Sequence, residues 1–295
     1  MREFEYLWCD VFTATPLAGN QLAVFADAAG LADDEMQAIA REMNLSETTF
    51  VLRRDAATER ERGVRVRIFT TLEELPFAGH PTLGTATMIR KYVPEYADAQ
   101  QLVLDLNAGQ IPVTFDIGRS DNGATFAEMT QLDPVFGATH RVEAIAAVLN
   151  LRAEDIAEAA PQTVSTGVAF CVVVLRSLEA LERMQLDVAA SERYARTSDA
   201  QFFYALAQDG DGWQARMQFY NGEDPATGSA AGCAISYLVK HGLCAPGRRV
   251  HLRQGIAMGR PSDLYLSADL VDGRVGKVCV GGSTVPVAKG RIFLA

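Results

Sequence analysis

Apolar residues recur along this chain in two rhythms. Every-other-residue alternation marks RVRIF (65–69) and ARMQF (215–219), the period of a strand with one buried face. The apolar runs CVVVL, FFYAL and LYLSADL predict further strands. The segment LADDEMQAIAREMN (31–44) instead predicts an amphipathic helix, with acidic residues in its first turn and Asn44 near its end. RVEAIAAVLN and ERYARTSDA predict further helical pieces.

One passage occurs twice. RVRIFTTLEELPFAGHPTLGTATMIRKY and QARMQFYNGEDPATGSAAGCAISYLVKH each run from a strand through an acidic loop to a glycine, a polar residue and a helix of small and apolar residues. Gly79 and Gly228 lie 149 positions apart (228 − 79), and the same offset relates His80 to Ser229, Glu74 to Glu223 and Lys91 to Lys240. TPLAGNQLAVF and VSTGVAFCVVV repeat the relation through Gly19 and Gly167, 148 apart (167 − 19). The period is far beyond the roughly 20 to 50 residues of solenoid units. It predicts two similar α/β halves, with the turn-rich IGRSDNGATF (117–126) near the midpoint.

A glycine that opens a helix presents unpaired N–H groups and the positive end of the helix dipole, so it attracts an anion. A nucleotide phosphate fits poorly: Ser229 stands where a phosphate-binding loop needs lysine, and PATGSAAG lacks the dinucleotide glycine spacing. Glu223 and Asp224 would repel phosphate but suit a ligand carrying both a carboxylate and an amine or labile proton. The expected arrangement is one carboxylate shared across a cleft by the Gly79-His80 and Gly228-Ser229 turns.

Composition narrows the classes. With 295 residues, 48% hydrophobic and 22% charged, the chain can bury a sizeable core. A net charge of −10 without a basic stripe argues against a nucleic-acid partner, and the Arg248, Arg249 and Arg253 group reads as a solvated face. The longest apolar run, 168–175, is eight residues against the roughly 20 that span a bilayer. The N-terminus shows no secretory pattern, so no membrane association and a cytoplasmic location are expected. Five widely spaced cysteines read as reduced, mostly buried thiols, and the four histidines show no ligand spacing, so no metal is expected.

The motifs GNQLAVF, NLSETTFV, ELPFAGHPTLGTA, GEDPATGSAAG and RQGIAMGRPS, in that order, resemble the phenazine-biosynthesis isomerase family, the PhzF-like proteins. The resemblance implies the duplicated two-domain α/β fold of diaminopimelate epimerase, each half a sheet wrapped around a central helix, with the active site in the cleft between halves. The expected division is 1–122 with 283–295 returning to it, and 123–282. The resemblance also implies frequent homodimers, no cofactor, and isomerisation of trans-2,3-dihydro-3-hydroxyanthranilate by a glutamate that carries a proton from ring C3 to C1.

Carried over by motif, the catalytic residues are Glu47, His80 and Asp224, with Gly79, Thr227, Gly228 and Ser229 binding substrate. A carboxylate that accepts and returns a proton works best when burial moves its pKa toward neutrality. Glu47 follows a helix and opens a β-rich segment, which suits a partly desolvated wall. Epimerases of this fold use two cysteines immediately before the two glycines; here those positions are Ala78 and Thr227, which excludes a two-thiol mechanism. Thr71 and Gln21 stand where the family often has proline. An epimerase or racemase of an amino or hydroxy acid, and a non-catalytic protein binding a small carboxylate, are the alternatives. Glu73, Glu74 and Glu223 are expected to be structural or solvated, and Gly255 and GRPS (259–262) to mark turns.

Overall fold

The computed structural model describes residues 1–120, 123–219 and 222–294. The chain divides into two compact units, Met1–Thr130 with Gly281–Ala295, and Gln131–Val280. The division expected at 122 falls on residues 121 and 122, which lie outside the described residues. The unit boundary comes after the strand Thr125–Thr130, the last of its sheet before the second unit begins.

In the first unit, Arg2–Val11 pairs antiparallel with Asn20–Phe25 and with the end of Arg274–Leu294. Asn20–Phe25 runs parallel to Thr48–Leu52, which is antiparallel to Val64–Phe69. Val64–Phe69 then runs parallel to Gln101–Leu106, and antiparallel pairings continue through Gly109–Asp116 to Thr125–Thr130. Thr125–Thr130 also pairs with the C-terminal strand, so the sheet closes on itself. Inside it lies the helix Gly79–Tyr92, buried from Gly79 to Ile89 and packed on Arg2–Val11, Asn20–Phe25 and Thr125–Thr130.

The second unit repeats the order. Gln162–Ser165 is antiparallel to Val135–Thr139 and Ala169–Leu175, and Ala169–Leu175 runs parallel to Phe203–Asp209. Gly212–Phe219 is antiparallel to Phe203–Asp209 and parallel to Val250–Gln254, which pairs antiparallel with Ser262–Val271. Its buried helix is Gly228–Lys240. The duplicated α/β fold, a sheet around a central helix in each half, is thus present, and Gly79 and Gly228 are the first residues of the two helices.

A helix enclosed on every side must be small or apolar all round. At Gly84 a Cβ would come within 2.6 Å of Leu22 Cδ2 and 2.8 Å of Val11 Cγ2; at Gly232 it would meet the Gln131 side-chain amide. The repeat extends to one ion pair. Arg67 Nε and Nη2 donate to Glu74 at 2.8 and 2.6 Å, and Arg216 Nε and Nη2 donate to Glu223 at 2.9 and 2.7 Å. Each bidentate pair ties a strand to the short strand after it, Glu74–Leu75 or Gly222–Glu223. Both glutamates are structural. The part of Glu223 in repelling a phosphate is therefore corrected, because the Arg216 guanidinium pairs with it.

Local signals account for most boundaries. Asp33–Met43 ends where Asn44 turns left-handed at φ 51°, and Val142–Val148 forms the helix expected in RVEAIAAVLN. The helical piece expected in ERYARTSDA belongs to the helix Val188–Ala195, which starts earlier because the Asp187 side chain accepts from Ala190 N at 2.9 Å. All five cysteines are free thiols. Among the described residues no helix is long and apolar enough to cross a membrane.

Alanine at Gly84 sets a helix-propensity gain of about 1 kcal/mol against overpacking of about 1–3 kcal/mol. The clash with Leu22 and Val11 wins, so Gly84→Ala is expected to destabilise. Urea denaturation checks this, and a variant as stable as the parent would show that the strand pair gives way.

Candidate active site

In the first unit the chain leaves the helix Asp33–Met43 through left-handed Asn44 and enters Thr48–Leu52, held between Asn20–Phe25 and Val64–Phe69. Glu47 stands at the head of that strand. Thr49 Oγ1 and Thr85 Oγ1 lie 2.7 Å apart and fasten the strand to the buried helix. This places the Glu47 side chain, 16% exposed, with Oε2 3.4 Å from Nε2 of His80, the second residue of the helix.

His80 is 3% exposed. Burial lowers its pKa to about 3, against the smaller opposing effect of a hydrogen bond to the Gln21 backbone. The imidazole is therefore neutral at physiological pH, and its contact with Glu47 is not an ion pair. Asn20 Nδ2 lies 3.1 Å from His80 Nδ1. Which of the two donates there depends on the tautomer of the ring, and His80 Nε2 faces Glu47. At 3.4 Å this is a long approach for a hydrogen bond.

Asn20 went unnoticed in the sequence, although it follows Gly19 in GNQLAVF. Gly19 has φ 66°, and a Cβ there would come within 2.4 Å of Val11 O. Only glycine fits this turn, and the turn delivers buried Asn20 to the histidine.

In the second unit, Thr227 Oγ1 donates to Asp224 Oδ2 at 2.7 Å, and Asp224 N donates to Met217 O at 2.9 Å. Asp224, Thr227 and Ser229 are each 7% exposed. Thr227 is the N-cap of Gly228–Lys240 but makes no side-chain cap bond, and Ala78 before Gly79–Tyr92 makes none either. The first N–H groups of both helices thus lack intrahelical acceptors, as an anion-binding turn requires. Glu47, Gly79 and His80 come together in one unit, and Asp224, Thr227, Gly228 and Ser229 in the other. Gln254 was also missed: its side chain bonds Thr227 and the Asp224 backbone.

Burial pushes the Cys9 and Cys171 thiols up, and Cys233 up to about 11, so these are not ready acid/base groups. Among the described residues no cluster of three or more His, Cys, Asp and Glu could hold a metal ion. A separate surface pocket is lined by Arg248, Arg249, Arg253 and His251, but Asp209 pairs with Arg253, and Asp263 with His251 at 2.7 Å.

The family model described as phenazine biosynthesis-like protein matches residues 9–290. The chain belongs to the phenazine biosynthesis-like family. A trans-2,3-dihydro-3-hydroxyanthranilate isomerase of Pseudomonas aeruginosa is 35% identical, with 98% of this chain and 99% of that protein covered. The solved structure of a predicted epimerase from Pseudomonas aeruginosa is 36% identical, with a TM-score of 0.85 over 99% of this chain and 100% of the other. A probable proline racemase from Agrobacterium radiobacter shares the fold at 10% identity, with a TM-score of 0.70 over 99% and 93%. Within the family this chain is an isomerase.

The depressed pKa of His80 gives a signed prediction. Below the unfolded value of 6.5 the unfolded chain takes up a proton that the folded imidazole refuses until about pH 3, so this contribution to stability falls across that window as pH drops. In 15N-edited NMR spectra His80 should keep neutral-imidazole shifts from pH 8 down to about pH 4. A midpoint near 6.5 would contradict the assignment.

Proposed function

We propose that this chain is a cofactor-independent isomerase that moves a proton between two carbons of a small carboxylate resembling trans-2,3-dihydro-3-hydroxyanthranilate. The observation that carries the reading is the Glu47 carboxyl, largely buried and facing a neutral imidazole. A neutral imidazole can sit beside a carboxyl without pinning it in its ionised form as a cation would. Glu47 takes the proton from ring C3, the C–H electron pair moves into the conjugated ring, and the same proton returns at C1. Nothing is oxidised and no group leaves.

In this reading His80 steadies Glu47 and the reacting ring. Asp224 accepts from the substrate amino group, and Ser229 with the Gly228 turn receives its carboxylate. A proton that leaves and returns on one face needs a single carboxylate, whereas two-base epimerisation needs a partner on the opposite face. Ala78 and Thr227 supply no thiol pair for that role.

The test follows trans-2,3-dihydro-3-hydroxyanthranilate by proton NMR in heavy water, with the parent protein beside Glu47→Gln. The parent should consume the substrate, and the Gln variant should lose turnover by about 10²- to 10⁴-fold while still binding. Turnover undiminished in Glu47→Gln would overturn the role of Glu47, and a parent protein that neither binds nor converts the compound would overturn the substrate.

A further inference from the structure

We propose that Gln254 is a positioning residue that sets the 224–227 loop, and with it the Asp224 carboxylate and the helix N-terminus, for substrate. This rests on the reading of Asp224 and Ser229 as substrate-holding groups. Gln254 closes the strand Val250–Gln254 and is 0% exposed. Its Oε1 accepts from Thr227 N at 3.1 Å and from Tyr204 Oη at 2.8 Å. Its Nε2 donates to the Asp224 carbonyl and to Thr227 Oγ1, both at 2.9 Å. The orientation of the amide is forced, because Thr227 N–H can only donate and the Asp224 carbonyl can only accept.

That orientation has a consequence at the carboxylate. With Nε2 donating to Thr227 Oγ1, the hydroxyl proton of Thr227 is directed onto Asp224 Oδ2, 2.7 Å away. A directed chain runs from amide to hydroxyl to carboxylate, each bond polarising the next. It fixes the rotamers of Asp224 and of the Thr227 hydroxyl, which makes no cap bond to the helix. The Thr227 N–H, directly before the first helical turn, is also spoken for. Neither Gln254 nor Tyr204 is placed here in contact with substrate; both act through the loop.

The next residue enforces the close approach. Gly255 has φ 74°, and a Cβ there would come within 2.6 Å of Pro225 O and 2.3 Å of Arg260 O. The Gln254-Gly255 turn is therefore pressed against the backbone of Pro225, and no side chain fits between them. The run RQGIAMGRPS is thus a brace for the loop that carries Asp224.

Gln254→Glu keeps the acceptor for Thr227 N–H and Tyr204 but loses both donations, and Gln254→Met keeps the length and loses all four bonds. The parent and both variants are compared by steady-state kinetics on trans-2,3-dihydro-3-hydroxyanthranilate and by amide hydrogen exchange. KM is expected to rise by about tenfold in Gln254→Glu and more in Gln254→Met, with kcat changed less, and Thr227 exchange to accelerate in Gln254→Met alone. The strand Ala169–Leu175 should stay protected in both. A merely structural role would lower the active fraction and kcat, leave KM alone and deprotect Ala169–Leu175 as well. That pattern, or variants with parental KM and parental Thr227 exchange, overturns the proposal. If the parent itself fails to turn over the compound, the substrate reading has failed, and Thr227 exchange still decides whether Gln254 holds the loop.

Discussion

Enclosing an entire helix inside a sheet is the constraint from which the rest of each unit follows. Gly79–Tyr92 and Gly228–Lys240 are buried along nearly their whole length. A helix in that position cannot carry large charged side chains until its last turn, where Arg90, Lys91 and Lys240 appear. It must also narrow where strands press on it, at Gly84 and Gly232. Its N-terminus, without a side-chain cap, ends inside the protein with N–H groups that solvent reaches poorly.

Charge is handled in two opposite ways around these helices. Arg67 with Glu74, and Arg216 with Glu223, are bidentate pairs that hold equivalent turns in the two units. His80 and Glu47 are as close as many ion pairs, but desolvation outweighs the available hydrogen bond and keeps the imidazole neutral. The first arrangement locks a carboxylate against a cation, and the second sets one beside an uncharged ring. The repeat keeps the locking pair in both units and differs at the second residue of the buried helix, where His80 in one unit corresponds to Ser229 in the other.

Side-chain amides set the geometry of both clusters. Asn20 orients the imidazole in one unit, and Gln254 orients the Asp224 loop in the other. An amide suits this work because it donates and accepts without a charge to desolvate, and a buried amide with its bonds made has one orientation. Each sits beside a glycine that permits a backbone approach no other residue allows, Gly19 and Gly255.

Sequence alone determined the features governed by short-range periodicity and by repetition. The strands at 65–69 and 215–219, the helix ending at Asn44, the glycines that open the buried helices and the duplication itself were all legible there, as was Glu47 at a helix-to-strand junction. The helical piece expected in ERYARTSDA is there, but its start at Val188 depends on the Asp187 cap, outside the apparent pattern. Tertiary structure alone decided what those residues do to each other. His80 is neutral because a closed sheet surrounds it, Glu223 is neutralised because hairpin register brings it to Arg216, and Asn20 and Gln254 matter through partners 60 and 27 to 30 residues away. Periodicity records which face of an element is buried, whereas desolvation and hydrogen bonding depend on which distant groups share that burial.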